Sequence, residues 1–357
     1  MTMRERMLAV LQGKEHDKMP FTQYDNLIIP NELMWSTFGR ENAGVLQRSK
    51  VTKLVNTKCS ITSYDITEKG YKGKISTMHT PKGELHEKII FDPYLNSPAR
   101  VEHFVKKPDD YNLLLEYFRD ITVHEDMQRY QGHLAYLGGA GLPMACLART
   151  PYQQMWIFWV SLLDFCVDLY EHSDIVEACM DCLAKVIVNE LKIIAQVAKK
   201  IDIPLVNFGD NITAPIIGPE YFQKYCLYYY NLAAEIFDNE NIIISVHTDG
   251  DLKPLAELIA GSKIGGLDSF TPKPDNDTGL DEALEMWPNI KMLMNFPSSI
   301  HLADKEIIYK TAVELLNQTK RSGRVWMQIS EDLPPGMWEK SFPAILKAID
   351  EFGPPMG

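Results

Sequence analysis

Apolar runs that end in short polar stretches recur along this chain. The clearest is the β-branched run at 242–246, which ends at His247-Thr248-Asp249-Gly250. Runs at 134–137, 203–208, 290–294 and 325–327 end in the same way, at glycine or at polar residues. Short apolar runs rich in β-branched residues and bounded by turn residues predict buried strands of a parallel sheet.

Helix-length segments lie between these predicted strands. They cover residues 174–199, 219–237, 252–260, 279–287, 305–322 and 337–352. Strand, polar loop and helix in regular alternation are typical of an α/β protein with a parallel sheet. The number of units favours a closed (β/α)8 TIM barrel over an open doubly wound sheet. Functional groups of such barrels collect on the loops after the strands, and the candidates there are Asp210, His247, Asp249, Asn295 and Glu331.

The first 130 residues show a different pattern. Residues 4–13 form an amphipathic helix, and residues 19–25 are the predicted first barrel strand. Residues 61–91 alternate as β-strands do, around a turn signal at Thr80-Pro81-Lys82-Gly83. We therefore predict one barrel domain over 1–357. Residues 1–130 supply the N-terminal helix, the first strand and a β-hairpin insertion, and 131–357 supply the remaining barrel.

Composition and charge narrow the class of protein. A chain of 357 residues with 45% hydrophobic content can bury one large core. The net charge of −12, with no run of more than two Lys or Arg, argues against nucleic acid or an anionic membrane surface as a partner. No apolar run approaches the roughly 18 residues that a membrane helix needs, so we expect a soluble cytoplasmic protein. The six cysteines lack ligand spacing, and Cys179 and Cys182 fit one face of a helix.

His247 and Asp249 are the strongest candidates for chemistry. Side chains alternate along a strand, so the imidazole and the carboxylate are expected on the same side at the strand's end. A hydrogen-bonded structural pair is the alternative interpretation. For Asp210 the alternative role is capping of the following helix. For Glu331 the alternative is an ordinary position in a solvated loop.

Several motifs in order resemble the uroporphyrinogen decarboxylase superfamily. They are residues 3–14 followed by Asp17-Lys18-Met19-Pro20, a predicted loop at Gly141-Leu142-Pro143, Gly209-Asp210-Asn211 with Pro219-Glu220, and His247-Thr248-Asp249-Gly250. The resemblance extends diffusely from residue 3 to about 350. It implies a (β/α)8 barrel with one of two activities, porphyrinogen decarboxylation or methyl transfer to or from a corrinoid.

Departures from the family pattern favour methyl transfer. Porphyrinogen decarboxylases carry an arginine-rich loop after the first strand, whereas residues 23–30 here hold no arginine. The methyltransferases carry His-x-Cys and a second cysteine that bind zinc, but this chain has Asp249 and Ser330-Glu331-Asp332 at those places. The resemblance thus implies a zinc site of His247, Asp249 and Glu331. With oxygen ligands, such a metal would suit an ether oxygen better than a thiol.

The predicted function is a cobalamin-dependent methyltransferase of the O-demethylase kind. It would move a methyl group from a small methoxylated compound, expected to be aromatic, to the cob(I)alamin of a partner corrinoid protein. His247 and Asp249 would hold the metal or form an acid pair, Glu331 would be third ligand or proton donor, and Asp210 would orient them. The predicted substrate-binding residues are Gln23, Tyr24, Phe208, Asn295, Phe296, Trp326 and Gln328, and core packing is the alternative role of the aromatic ones.

Other functions stay open at this point. They are a decarboxylase-type lyase, methyl transfer from methylcobalamin to tetrahydrofolate or another acceptor, and a non-catalytic corrinoid-binding role. The chain has no Asp-x-His-x-x-Gly signature of a cobalamin-binding module, so the corrinoid is expected on a separate protein. A tyrosine-rich helical stretch at 225–230 could pack on the barrel or on a second subunit, which leaves a homodimer open.

Overall fold

The structure is a computed structural model that describes residues 1–94, 97–237, 241–319 and 322–354. The strands are β1 (Phe21–Tyr24), β2 (Gly44–Ser49), β3 (Thr52–Val55), β4 (Ser60–Glu68), β5 (Tyr71–Thr80), β6 (Gly83–Phe91), β7 (Pro98–Glu102), β8 (Thr122–Glu125), β9 (Gly141–Leu147), β10 (Leu205–Ile212), β11 (Ile243–Thr248), β12 (Gly266–Phe270), β13 (Lys291–Asn295) and β14 (Val325–Ile329).

The helices follow most of the segments that the sequence predicts. They are α1 (Met3–Gln12), α2 (Asn31–Phe38), α3 (Tyr111–Arg119), α4 (Met127–Leu137), α5 (Pro151–Gln154), α6 (Leu162–Glu171), α7 (Ser173–Ala198), α8 (Ala214–Phe222), α9 (Tyr228–Ile236), α10 (Ala256–Ala260), α11 (Leu280–Met286), α12 (Lys305–Gln318) and α13 (Trp338–Phe352). The predicted helix over 305–322 crosses residues 320 and 321, which lie outside the described residues. Within the described ranges, none of the helices combines the length and the apolar character that crossing a membrane requires.

The chain forms two compact units. One consists of Met1–Val51, Met127–Leu147 and Ala195–Gly357, and the other of Thr52–Asp126 and Ala148–Ile194. The first contains a closed barrel with the strand order β1-β14-β13-β12-β11-β10-β9-β2. All neighbouring strands of the barrel run parallel. With helices between its strands, this is the predicted (β/α)8 architecture.

The helix α1 shows how local sequence fixes the start of this unit. Thr2 caps the helix by accepting a hydrogen bond from the backbone N–H of Glu5, whose side chain accepts one from the Thr2 backbone in return. Gly13 ends the helix with a φ of 65°, a left-handed conformation that glycine adopts without steric cost. Met7 and Leu11 on one face are buried in a cluster with interior residues of the barrel.

The second unit contains the predicted antiparallel insertion. Its four-stranded sheet has the order β4-β5-β6-β7, and β3 pairs with β8 in a separate two-stranded sheet. Thr80 and Gly83 face each other across the turn between β5 and β6, as the turn signal predicts. The insertion follows two barrel strands rather than one, because β2 precedes it. Cys179 and Cys182 lie on α7, where Cys179 is buried.

The strand predictions need correction in three places. Residues 134–137 are the last turn of α4, in which Tyr130 and Leu137 are buried seven residues apart, a helical spacing. The strand begins instead at Gly141, so the predicted loop at 141–143 is also wrong. The strands β2 and β12 were not recognised, since Gln47 and Arg48 in one and Asp268 and Ser269 in the other interrupt the apolar run.

Candidate active site

The barrel interior changes from apolar to polar along its strands. Tyr24 on β1, Leu46 on β2, Met144 on β9, Leu205 on β10 and Trp326 on β14 belong to one buried hydrophobic cluster. Residues two positions further along a strand point to the same face. The side chains that follow on the interior face toward the carboxyl ends are Arg48, Cys146, Asn207 and Gln328. Polar groups therefore collect where the active sites of (β/α)8 barrels lie.

Asp268 on β12 is the centre of this polar group. Its side chain is fully buried. Its Oδ2 accepts hydrogen bonds from the Tyr24 hydroxyl at 2.6 Å and from Asn207 Nδ2 at 3.0 Å. Its Oδ1 accepts one from Gln328 Nε2 at 2.9 Å. The fourth partner is His247, whose Nδ1 lies 3.1 Å from Oδ2. A buried carboxylate with this many donors has its lone pairs satisfied.

The ionisation of this group follows from its contacts. Burial alone would raise the pKa of Asp268, but the hydrogen bond and charge of His247, with the bonds from Tyr24 and Gln328, hold the pKa of the carboxyl below its ordinary value. Burial, with the nearby charge of Asp268, raises the pKa of Tyr24 far above its ordinary range. The phenol is therefore a neutral donor and the carboxyl an anion at neutral pH.

The orientation of His247 is set by these two neighbours. Its Nδ1 lies 3.2 Å from the Tyr24 hydroxyl as well as 3.1 Å from Asp268. Nε2 makes no hydrogen bond with another residue in the described part of the chain, and the side chain is 15% exposed. A carboxylate at one nitrogen fixes the tautomer and leaves the other nitrogen free for a ligand or a proton.

The residue after Asp268 interrupts the strand. Ser269 has a φ of 64°, and the register between β12 and β13 shifts between Asp268 and Phe270. The extra residue is a β-bulge, and the Ser269 hydroxyl is hydrogen-bonded to that of Ser330. Phe270 consequently packs edge-on against Trp287, which follows α11, with ring centroids 6.4 Å apart.

Glu331, just after β14, lies in a group of hydroxyl donors. Thr271 Oγ1 donates to Oε1 at 2.9 Å, and the Ser298 hydroxyl donates to Oε2. Burial, together with the charges of Asp249 and Asp275, raises the pKa of Glu331 above its ordinary value. A carboxyl group with a raised pKa holds its proton closer to neutral pH and is suited to act as an acid.

The predicted pairing of His247 with Asp249 is wrong in its partner. His247 is hydrogen-bonded to Asp268 from the neighbouring strand, while Asp249 is exposed and influences Glu331 through its charge. Across the described residues, no three His, Cys, Asp or Glu side chains lie together so that they could hold a metal ion. His247, Asp249 and Glu331 are thus not placed to hold a zinc ion together. A zinc cofactor as such stays a prediction.

Two candidates on β10 face away from the interior. Phe208 packs against Tyr230 of α9 at 5.0 Å between ring centroids, and the Tyr230 hydroxyl donates to Asp210 at 2.5 Å. Asn207, one position earlier than Phe208, bonds Asp268 in the interior. Asp210 therefore joins the barrel to its helix layer, and the predicted orienting role beside His247 does not agree with this position.

The other predicted substrate-binding residues are buried. Gln23 donates to the Ile29 carbonyl at 2.7 Å, which fixes the loop after β1. Asn295 accepts from the Ser330 backbone N–H at 2.9 Å and donates to Thr271 at 3.2 Å, so it supports the surroundings of Glu331. Trp326 and Phe296 are buried in the core, Phe296 against His301 at 5.0 Å. Tyr24 and Gln328 contact Asp268 directly.

Sequence reasoning missed Asp268 and Arg48. Both lie on strands that were not recognised, and Asp268 carries no motif of its own. The signal for Asp268 was the fragment Gly266-Leu267-Asp268-Ser269-Phe270, one helix after His247 and followed by a further helix. Arg48 lies with its guanidinium carbon 4.9 Å from the centroid of the Tyr24 ring.

A closed parallel barrel with ionisable groups at the carboxyl ends of its strands has the layout of a (β/α)8-barrel enzyme. Comparison with known protein families is consistent with this. The chain belongs to the uroporphyrinogen decarboxylase (URO-D) family, whose model matches residues 160–352, more than half of the chain. A search of curated protein sequences gives no match.

One of three solved structures similar to this chain, a methyltransferase, shares its fold at low sequence identity. A methyltransferase from Methanosarcina mazei is 14% identical, with 99% of each chain covered and a TM-score of 0.59. A psychrophilic glycoside hydrolase family 10 endo-β-1,4-xylanase is 10% identical over 62% of this chain and 82% of its own, with a TM-score of 0.33. A mandelate racemase/muconate lactonizing enzyme-like protein from Rubrobacter xylanophilus is 10% identical over 85% and 86%, with a TM-score of 0.26.

Proposed function

We propose that this protein is a methyltransferase that takes a methyl group from a methoxylated aromatic compound and transfers it to the cob(I)alamin of a partner corrinoid protein. Membership of the URO-D family and a fold shared along its whole length with a methyltransferase support methyl transfer as the class of reaction. The corrinoid belongs to the partner in this proposal.

The observation that carries the proposal is the arrangement of Tyr24, Asp268 and His247. The buried anion of Asp268 holds Nδ1 of the imidazole, and the other ring nitrogen has no partner among the described residues. Such an imidazole can bind the substrate oxygen or hold a proton beside it. Tyr24 and Gln328 fix the carboxylate, so the histidine is preorganised.

Glu331 supplies the acid in this proposal. Cob(I)alamin attacks the methyl carbon, the C–O bond breaks, and its electron pair stays on the oxygen. A proton from Glu331 converts that oxygen into a hydroxyl group, which improves a mediocre leaving group. The products are the demethylated phenol and methylcobalamin. The raised pKa of Glu331 keeps the proton available.

Decarboxylation of a porphyrinogen is the less favoured activity. A substrate with eight carboxylates needs clustered cations, and the loop after β1 has none between Asp25 and Pro30. Arg48 and Lys50 on or after β2 are two cations where an octacarboxylate would need many. The small number of cations thus favours a substrate with fewer carboxylates.

The test is direct. The protein is incubated with cob(I)alamin and a panel of methoxylated aromatic compounds, and the conversion to methylcobalamin is followed by its absorbance. We expect methyl transfer by the wild type, its loss in His247→Ala, and its retention in His172→Ala, which changes an exposed histidine at a helix end. Transfer that survives His247→Ala would contradict the proposal, as would decarboxylation of a porphyrinogen without transfer from any ether.

A further inference from the structure

Two cations lie at the carboxyl end of β2, next to Tyr24 of the Asp268 network. Arg48 follows Leu46 by two residues, and Leu46 is part of the buried interior cluster, so both side chains are on the same face of β2. The Arg48 guanidinium lies over the ring of Tyr24, at 4.9 Å from its centroid. Lys50 is two residues further on. Burial raises the pKa of the Cys146 thiol on β9 to about 11, and the charges of Lys50 and Arg48 oppose that rise. Both cations therefore act on one interior group.

Neither cation is neutralised by a side chain in the described part of the chain. Within residues 1–94, 97–237, 241–319 and 322–354, the side chains of Arg48 and Lys50 make no salt bridge and no hydrogen bond. The buried carboxylate of Asp268 already has its own partners, because its oxygens accept from Tyr24, Asn207 and Gln328 and contact His247. The guanidinium, held on the aromatic ring, thus keeps its donors free for a ligand.

Acidic residues follow three other barrel strands, which lie two to four strands from β2. The strand order puts β2 four strands from β12, which is the greatest separation that eight strands allow. Asp249 follows β11, Asp275 follows β12 and Glu331 follows β14, and the first two raise the pKa of the third. A molecule bound at the carboxyl ends of the strands therefore meets the cations of β2 at one point and the carboxyl group of Glu331, whose pKa is raised, at another.

We infer that Arg48, assisted by Lys50, binds a carboxylate of the substrate, so that the methoxylated compound is an aromatic acid. The inference rests on the proposed function for the identity of the ring and its ether. A planar guanidinium binds a carboxylate through two parallel hydrogen bonds, which fix the direction of the bound molecule as well as its position. With the carboxylate at Arg48, the rest of the ring extends past Tyr24 toward His247 and Glu331. Arg48 is in this view a specificity-determining residue.

The experiment measures binding without any methyl transfer. Isothermal titration calorimetry of the full chain, without corrinoid, compares 4-methoxybenzoate with 4-methoxybenzamide, which has the same shape and no charge. We expect the wild type to bind the acid at least roughly tenfold more tightly, because a charge-assisted pair is lost in the amide. The preference should fall with added salt.

Two variants and a control locate the effect. Arg48→Gln should bind the acid and the amide equally, and Lys50→Gln should reduce the preference by a smaller factor. Lys53→Gln removes an exposed lysine of β3 and should leave the preference unchanged. Equal binding of the two compounds by the wild type, no measurable binding of the acid, or an unchanged preference in Arg48→Gln would overturn the inference. A preference for the acid that depends on Arg48, in a protein that transfers no methyl group, would refute the proposed function and leave the carboxylate site standing.

Discussion

Replacing Asp268 with asparagine tests the network at its centre. An asparagine has one oxygen and one NH2 group where Asp268 has two oxygens. If its oxygen keeps the place of Oδ2, facing Tyr24, His247 and Asn207, its NH2 group faces the NH2 group of Gln328, so two donors meet. Gln328 cannot rotate its amide to compensate without breaking the bond that its Oε1 accepts from Trp326 Nε1 at 3.3 Å. One buried donor is left unpaired, and three bonds lose their charge assistance.

The expected loss of stability follows from these changes. An unpaired buried donor costs about 1–3 kcal/mol, and a bond to a neutral acceptor is about half as strong as one to a charged acceptor. The variant no longer buries a charged carboxylate, and this gain offsets part of the loss in stability. We expect the free energy of unfolding to fall by about 3 kcal/mol, near the lower end of the roughly 3–5 kcal/mol seen when a buried ion pair loses one partner.

Urea unfolding followed by circular dichroism measures the effect. The midpoint should fall while the dependence on urea keeps its slope, since the surface exposed on unfolding is unchanged. The control Asp65→Asn, on an exposed position of β4, should unfold like the wild type. Because the pKa of Asp268 is depressed in the folded state, its stabilisation is present above the unfolded pKa and is lost as pH falls through the folded one. The difference between the urea midpoints of variant and wild type should therefore become smaller in acid. Equal midpoints at neutral pH would refute the reasoning.

Three further outcomes are expected. Glu331→Gln should abolish transfer from ethers, and the wild-type rate should fall as pH rises through the raised pKa of Glu331, where the acid loses its proton; a rate that rises there would contradict its role as an acid. Tyr230→Phe should lower the free energy of unfolding by about 1.5–3 kcal/mol in thermal or urea melts but leave methyl transfer intact, because Asp210 faces the helix layer; lost activity in a folded variant would restore Asp210 to the site. Gly141→Ala should destabilise the protein by about 1–3 kcal/mol, since the added Cβ would lie 2.2 Å from a backbone oxygen of β2. Gly132→Ala, in open space on α4, should stabilise the protein by about 0.5–1 kcal/mol. A higher melting temperature for Gly141→Ala than for Gly132→Ala would contradict this packing.

The barrel was predictable because its alternation of strands and helices repeats. Strand β11 carries β-branched residues up to the turn, so the position of His247 at a strand end could be predicted from the sequence. Its partner could not, because Asp268 comes from the adjacent strand. Aspartate, serine and glycine make β12 a poor strand by propensity. Tertiary contacts with Tyr24 and Gln328 compensate for that locally weak sequence.

The sequence also does not show which side chains of β10 point into the barrel. Strands of a parallel barrel are buried on both faces, so Val206, Asn207 and Phe208 give no sign of which face is the interior. Asn207 bonds Asp268, which puts Phe208 on the other face, and the bond from Tyr230 of α9 shows that Asp210 also faces the helix layer. Arg48 was missed for a related reason, since a strand of six residues with Gln47 and Arg48 inside does not show an apolar run.

The bulge at Ser269 lies between the two parts of the site along the chain. Asp268, immediately before the bulge, positions His247, and Thr271, two residues after it, bonds Glu331. Ser269, with its left-handed φ of 64°, lies in the backbone between Asp268 and Thr271, so a change in that angle would move the imidazole and the acid relative to each other. A residue that prefers another backbone angle at position 269 would therefore change the spacing between the two groups, and with it the set of molecules that fit, without contacting either group.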